Sequence, residues 1–222
     1  MSAIFTVNDF LGVDLRLCLP RVGAWHADVS VDVAGQSADF SGALSLNIDG
    51  NTFTGTRRRG GTTADVAVMR LVGGAGGLAT MATPKSYSSV TPQVVINDLL
   101  SAAGETLSGT VDPSLLGVAW SSWSTPAWPT GAVLAELVSK LGTDVIWRVQ
   151  PDGTVWLGRE SWPTVKPSCL VTQIDDRLGK ATLHLFDGAL VLPGTVFNGV
   201  NIDNAVVTTF EGGRLNEEVW FQ

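Results

Sequence analysis

Val13-Asp14-Leu15-Arg16-Leu17-Cys18-Leu19-Pro20, followed by Trp25-His26-Ala27-Asp28-Val29-Ser30-Val31-Asp32-Val33, sets the fold class. Apolar residues occupy alternate positions: Val13, Leu15, Leu17 and Leu19, then Trp25, Ala27, Val29, Val31 and Val33. Successive side chains leave a strand on opposite faces, so a period of two predicts two strands that each bury one face. Working outward, Leu44-Ser45-Leu46-Asn47-Ile48 alternates again, Asp49-Gly50 is a strong hairpin signal, and Phe53 resumes the pattern. Val66, Val68 and Arg70-Leu71-Val72 predict a further strand, with Arg57-Arg58-Arg59-Gly60-Gly61 as a polar tip before it. This first segment is a β-meander of the kind that closes into a small barrel or sandwich.

Gly73-Gly74-Ala75-Gly76-Gly77 interrupts the alternation. A phosphate-cradling loop would end in Lys-Ser/Thr and lead directly into a helix. Leu78-Ala79-Thr80 follows instead, so the stretch reads as a flexible or tightly turning connection. Thr91-Pro92 then opens a helix, with Thr as N-cap and Pro at the first helical position. Val95, Ile96, Leu99, Leu100 and Ala103 give it one apolar face, and Gly104 stops it. A second helix is predicted over about Gly131–Leu141, capped by Thr130 and ended by Gly142, with Val133, Leu134, Leu137, Val138 and Leu141 as its stripe. Asp144 to Val149, Pro151-Asp152-Gly153 and Thr154 to Leu157 read as a hairpin. Beyond Pro163 and Pro167 the strand patterns return. Leu183, Leu185 and Leu190-Val191-Leu192 flank a turn at Asp187-Gly188, and Pro193-Gly194 opens another. Val196 to Ile202 alternates imperfectly, and Ala205 to Phe210 pairs with Leu215 to Phe221 around Glu211-Gly212-Gly213.

The domain organisation expected is therefore a first β-barrel-like domain over 1–85 and an α+β insertion of two helices and a hairpin over 86–162. A second β-barrel-like segment follows over 163–222, with strands of the first half available to complete it. With 222 residues, such a chain buries enough surface to fold without disulfides or metal. The net charge is −7, with 14 Lys and Arg. Affinity for nucleic acid rests on neutralising phosphates, so specific gripping of DNA is disfavoured, whereas DNA could slide past an acidic wall. Charged residues make up 16% of the chain, below the usual ~25%, which fits a surface partly covered by partners or a large core. Cys18 and Cys169 lie among apolar neighbours as buried, reduced thiols. Met1 to Phe10 lacks the pattern of a secretory leader, and no stretch approaches the ~18 apolar residues of a membrane span. Synthesis in a cytoplasm is expected.

No catalytic, cofactor or metal constellation emerges. His26 and His184 lack ligand spacing, no Gly-x-Ser-x-Gly elbow occurs, and a cysteine–histidine couple would have to be assembled from separate strands. Asp175-Asp176 and Glu217-Glu218 are adjacent in strands, so each pair points to opposite faces. Two features remain as candidate interface. Trp120, Trp123 and Trp128 crowd one link between the helices, where they could pack on the core, anchor a protein interface or stack on sugar rings. Arg57, Arg58 and Arg59 form a basic run on an acidic chain, either a solvated hairpin end or a salt-bridging surface for a neighbouring subunit.

Four stretches, in this order, resemble the baseplate-hub family of long-tailed phages, related to the hub part of type VI secretion valine-glycine-repeat spike proteins. They are Thr91 to Leu100 with Ala103-Gly104; Leu134 to Leu137 and Gly142, running into Val145 to Val149 and Pro151 to Gly158; Leu192-Pro193-Gly194-Thr195; and the closing hairpin, Val206 to Thr209 with Leu215 to Trp220. Together they cover roughly 65–222. The resemblance implies a mainly β fold of two tail-tube-like β-barrel domains with a small α+β insertion, and no enzyme activity. It also implies a homotrimer whose six barrels adapt a six-fold tail tube to a three-fold central spike. Partners would be the tail tube protein, the spike protein and other baseplate or tail-tip proteins, with DNA passing through a lumen and the protein located at the virion tail tip. The sequence given stops at Gln222, soon after the last hairpin, so a separate spike polypeptide and no lysozyme domain are implied. Rival readings are a carbohydrate- or receptor-binding tail protein using the Trp120–Trp128 cluster and, third, a cell-wall hydrolase.

Overall fold

The computed structural model describes residues 5–36, 38–186, 188–210 and 214–221. The first half contributes six strands: β1 (Phe5–Val7), β2 (Phe10–Pro20), β3 (His26–Asp32), β4 (Ala43–Ile48), β5 (Asn51–Thr62) and β6 (Val66–Gly73). They run in the order β1-β4-β5-β6-β3-β2, and β1 also pairs with β2, which closes a six-stranded barrel. Most of the inward set is the one that alternation selects: Leu15, Leu17, Ala27, Val29, Val31, Leu44, Leu46, Ile48 and Leu71 are buried, whereas Val13, at a register shift of β2, and Val68, on the face opposite buried Ala67, Met69 and Leu71, are exposed. Arg57-Arg58-Arg59-Gly60-Gly61 is not a hairpin tip. These residues continue β5 along β6, with a bulge between Arg57 and Arg59, and the turn falls after Thr62. Ladder hydrogen bonds come from the backbone, so a polar stretch can extend a strand wherever its side chains all reach water.

The insertion comprises a 3₁₀ turn (Gly77–Ala79), β7 (Lys85–Val90), α1 (Pro92–Ala103), α2 (Pro113–Leu116), β8 (Trp120–Thr125), α3 (Thr130–Leu141), β9 (Val145–Val149) and β10 (Val155–Arg159). β9 pairs with β10 as expected, and β7 pairs with β8. Thr91 precedes α1 without a side-chain cap, while Gly104 ends it at φ 75°. Thr130 is the first residue of α3 rather than its cap; its hydroxyl and N–H both donate to the Thr80 carbonyl, at 3.1 and 2.8 Å. The glycine-rich connection holds a carboxylate: the Ala75 and Gly77 N–H groups donate to Oε2 and Oε1 of buried Glu105, at 3.0 and 2.8 Å. A side chain at Gly77 would collide with the Ala103 carbonyl, so the end of α1 sits directly on this loop.

The last third forms β11 (Thr164–Val165), β12 (Cys169–Asp175), β13 (Lys180–Leu185), β14 (Val196–Phe197), β15 (Val200–Phe210) and β16 (Arg214–Phe221). They make a sheet in the order β12-β13-β16-β15, with β14 and β11 added along the start of β15. Among the described residues this sheet is open, with β12 at its edge. It joins the barrel because β15 pairs with β2 from Arg16↔Thr208 to Pro20↔Asn204. Asp187 and Glu211–Gly213, where two turns are expected, lie outside the described residues. The protein is thus mainly β, with a closed barrel, additional strands and few helices.

Trp25 fills the end of the barrel nearest the insertion. Its Nε1 donates to the Gln150 carbonyl at 3.4 Å, and its ring packs edge-on to Phe53 at 5.6 Å. Gly55 and Gly73, opposite each other on β5 and β6, leave the room it needs: an added Cβ would lie 2.7 Å from Trp25 at Gly55 and 2.6 Å at Gly73. Gly55→Ala would also strike the Val72 carbonyl, which cannot rotate away. It is expected to cost about 1–3 kcal/mol, as overpacking does, read as a lowered urea midpoint at unchanged slope.

Candidate assembly surfaces

The residues that could carry chemistry are dispersed or already engaged. Cys18 and His26 are directly opposite each other on β2 and β3, which brings together one couple that sequence reasoning discounted. No hydrogen bond joins them, and burial, aided by the Arg70 guanidinium, lowers the His26 pKa, so its imidazole is neutral at pH 7. Both cysteines are half-buried rather than buried. His184 bonds through Nδ1 to the Asn216 side-chain oxygen at 2.8 Å. Among the described residues, no three His, Cys, Asp or Glu side chains gather as a metal site. A cleft of about 560 Å³ opens between β7 and α1, where Lys85 and the Tyr87 hydroxyl both bond Asp98.

Glu217 and Glu218 part to opposite faces, as their adjacency requires. Glu218 pairs with Lys180 at 2.6 Å, whereas Glu217 is fully buried between Leu183 and Val207. Its Oε2 accepts the Val191 N–H at 2.9 Å, and its Oε1 has no partner among the described residues. Burial pushes its pKa from 4.5 up to about 8, against the opposing effect of the Val191 bond. The folded chain therefore keeps Glu217 protonated where the unfolded chain has lost the proton. Stability from this group is complete below pH ~4.5 and is lost as the pH rises to about 8. Thermal melts of the wild type should fall by a few kcal/mol across that window, and Glu217→Gln should remove this part of the slope.

The tryptophan cluster divides. Trp120 and Trp123 lie on β8 opposite Val90 and Tyr87, half-buried against the core, with ring centroids 5.3 Å apart. Trp128, beyond the strand, is 50% exposed and stands near exposed Met81, whose neighbour Ala82 donates its N–H to the Trp128 carbonyl. Only one of the three rings thus presents a broad open face. Trp123→Ala should destabilise by roughly 1–3 kcal/mol, a half-buried fraction of a core deletion. Trp128→Ala should change stability by no more than about 0.5 kcal/mol, in paired denaturant titrations.

Arg57, Arg58 and Arg59 are all exposed, and among the described residues none forms an ion pair or a side-chain hydrogen bond. β4 flanks β5 only from Asn51 to Thr56, so Arg57 to Thr62 has β6 on one side and no described strand on the other. The outer flank of β12 is likewise without a described strand. Leu170, Ile174, Leu178 and Phe186 are 54–66% exposed around it, and Asp176 is exposed at its end. This second edge is absent from the sequence-based candidates, because the partner of a strand is set by residues far away in the chain.

No protein-family model matches the sequence, and a search of curated protein sequences finds no match. Solved structures do share the fold. A tail protein of prophage MuSo2 from Shewanella oneidensis overlays with a TM-score of 0.64 at 12% identity, over 97% of this chain and 96% of that one. A tail protein from Neisseria meningitidis MC58 gives 0.66 at 11%, over 98% and 96%. An E. coli type VI secretion component, described as structurally similar to the bacteriophage T4 tail proteins gp27 and gp5, gives 0.68 at 9%, over 98% and 76%. The resemblance read from the sequence is therefore met at the level of the fold.

Proposed function

We propose that this chain is a structural hub protein of a phage-type tail. Three copies form a ring at the tail tip that adapts the six-fold tail tube to a three-fold central spike, with a lumen through which DNA passes. The observation that carries this reading is the overlay with two tail proteins along nearly the whole of all three chains, insertion included, rather than over a common barrel alone. The physical character of the chain supports it. A net charge of −7 suits a conduit along which DNA moves without sticking. Open edges bearing exposed apolar side chains suit subunits that finish their sheets on neighbours. Arg57, Arg58, Arg59 and Trp128 are candidate contact residues for sister copies or for the tube and spike proteins.

The purified full chain, alone and coexpressed with the tube and spike proteins of its own tail, should run in light scattering as a trimer or as part of a larger ring. A chain that stays monomeric even with those partners, or that clears peptidoglycan in a zymogram, overturns the proposal.

A further inference from the structure

Eight strands form one continuous ribbon, β5-β6-β3-β2-β15-β16-β13-β12, and the two open edges described above are its two ends. Every pairing along it is antiparallel. With an even number of strands, the first and last run in opposite directions. A second copy rotated about a ring axis therefore offers its β5 antiparallel to the β12 of the first, which continues the ladder without a break in direction.

We propose that a second copy of this chain pairs the Arg57–Thr62 edge of its β5 with the β12 edge of the first, head to tail. This rests on the ring reading above and names the surface that makes the ring. Three observations on the two edges agree. Their lengths match, six residues against the seven of β12, or roughly 20 Å and 23 Å at ~3.3 Å per residue. Their charges match as well. Arg57-Arg58-Arg59 is the one run of three like charges in the chain, and β12 ends at Asp175, with Asp176 directly after it in the turn. Antiparallel pairing sets the start of the open Arg57–Thr62 stretch against the end of β12, which places those arginines beside those aspartates; parallel pairing would set them against Leu170. The apolar surface is accounted for too. Ile174 and Leu178 flank the acidic end, where arginine stems can cover them while their guanidinium groups reach the carboxylates. The contact is heterologous, using different patches on the two copies, the class that closes into a ring when the rotation between copies divides a full turn and runs on as a filament when it does not.

Three variants of the full chain test this by light scattering, with circular dichroism as the check on folding. Arg57→Glu with Arg58→Glu reverses the basic edge, Asp176→Arg reverses the acidic one, and Ile174→Lys charges the apolar part. Asp175 is left in place because its carboxylate accepts the Arg177 and Leu178 N–H groups in the following turn. Each variant should keep its fold and weaken assembly about tenfold or more, and one chain that carries both charge reversals, which restores opposite charges at every contact of a three-membered ring, should recover assembly. Trimers that survive all three variants overturn this edge pairing while leaving the hub reading intact. Loss of assembly without recovery in the doubly reversed chain also overturns it. A wild type that is monomeric even with its tail neighbours overturns both.

Discussion

The structure depends on one strand having more neighbours than a strand in a plain barrel. β2 keeps β3 along one flank, and its other flank is divided. β1 takes Phe10 and Leu11, and β15 takes Arg16 to Pro20. At the fork the Leu15 N–H donates to the Thr209 hydroxyl at 3.1 Å, and that hydroxyl donates to the Asp14 carboxylate at 3.3 Å. The far end is fixed by Arg21 and Asp203, paired at 2.7 Å. Without this sharing, the last third of the chain would present β15 as another open edge. With it, one buried row crosses the molecule through Leu71, Ala27, Leu17, Val207, Glu217 and Leu183, each opposite the next.

Glu217 is the discordant member of that row. A neutral acid with one backbone bond is tolerated there, whereas a carboxylate with an unpartnered oxygen would not be, and this is the physical content of its raised pKa. Val191, which supplies that bond, belongs to a segment without regular structure that lies on the sheet. The acid thus ties a loop to a strand at a point where an apolar residue could offer packing but no hydrogen bond. The insertion is held to the barrel by comparable means. Trp25 reaches Gln150, Glu105 occupies the glycine-rich loop, and the Gly23 and Val149 N–H groups donate to the Trp147 and Gly23 carbonyls, both at 2.9 Å.

Much of this was legible in the sequence because local chemistry and global packing agree there. Alternation located β2 and β3, Asp49-Gly50 located the β4–β5 turn, and Gly104 marked the end of α1. The elements that escaped did so for separate physical reasons. β1 has three residues, too few to show a period. β8 reads Trp-Ser-Ser-Trp, a spacing of three that hides its alternation, and it is a strand only because β7 lies beside it. Arg57 to Gly61 lacks any apolar residue, so nothing in its composition reports that β6 extends it. Of the candidate contact residues, the arginines were visible as a charge run. The β12 edge was not, because an edge is defined by a missing neighbour.

An edge strand is a hazard in a monomer, and chains ordinarily blunt one with lysine, proline or a bulge. β12 has only the bulge between Val171 and Gln173 and otherwise surrounds its edge with exposed leucine, isoleucine and phenylalanine. The β5 edge is protected differently, by three adjacent like charges that would repel a second β5. Two such edges on one chain disfavour like-with-like pairing at the basic end and favour pairing between unlike ends, which is the condition for a ring over a two-fold dimer. The barrel closes on itself where β1 pairs with β2, whereas the ribbon that crosses it ends, among the described residues, in two open edges. On the proposed hub reading, function is written in where the sheet stops rather than in any pocket.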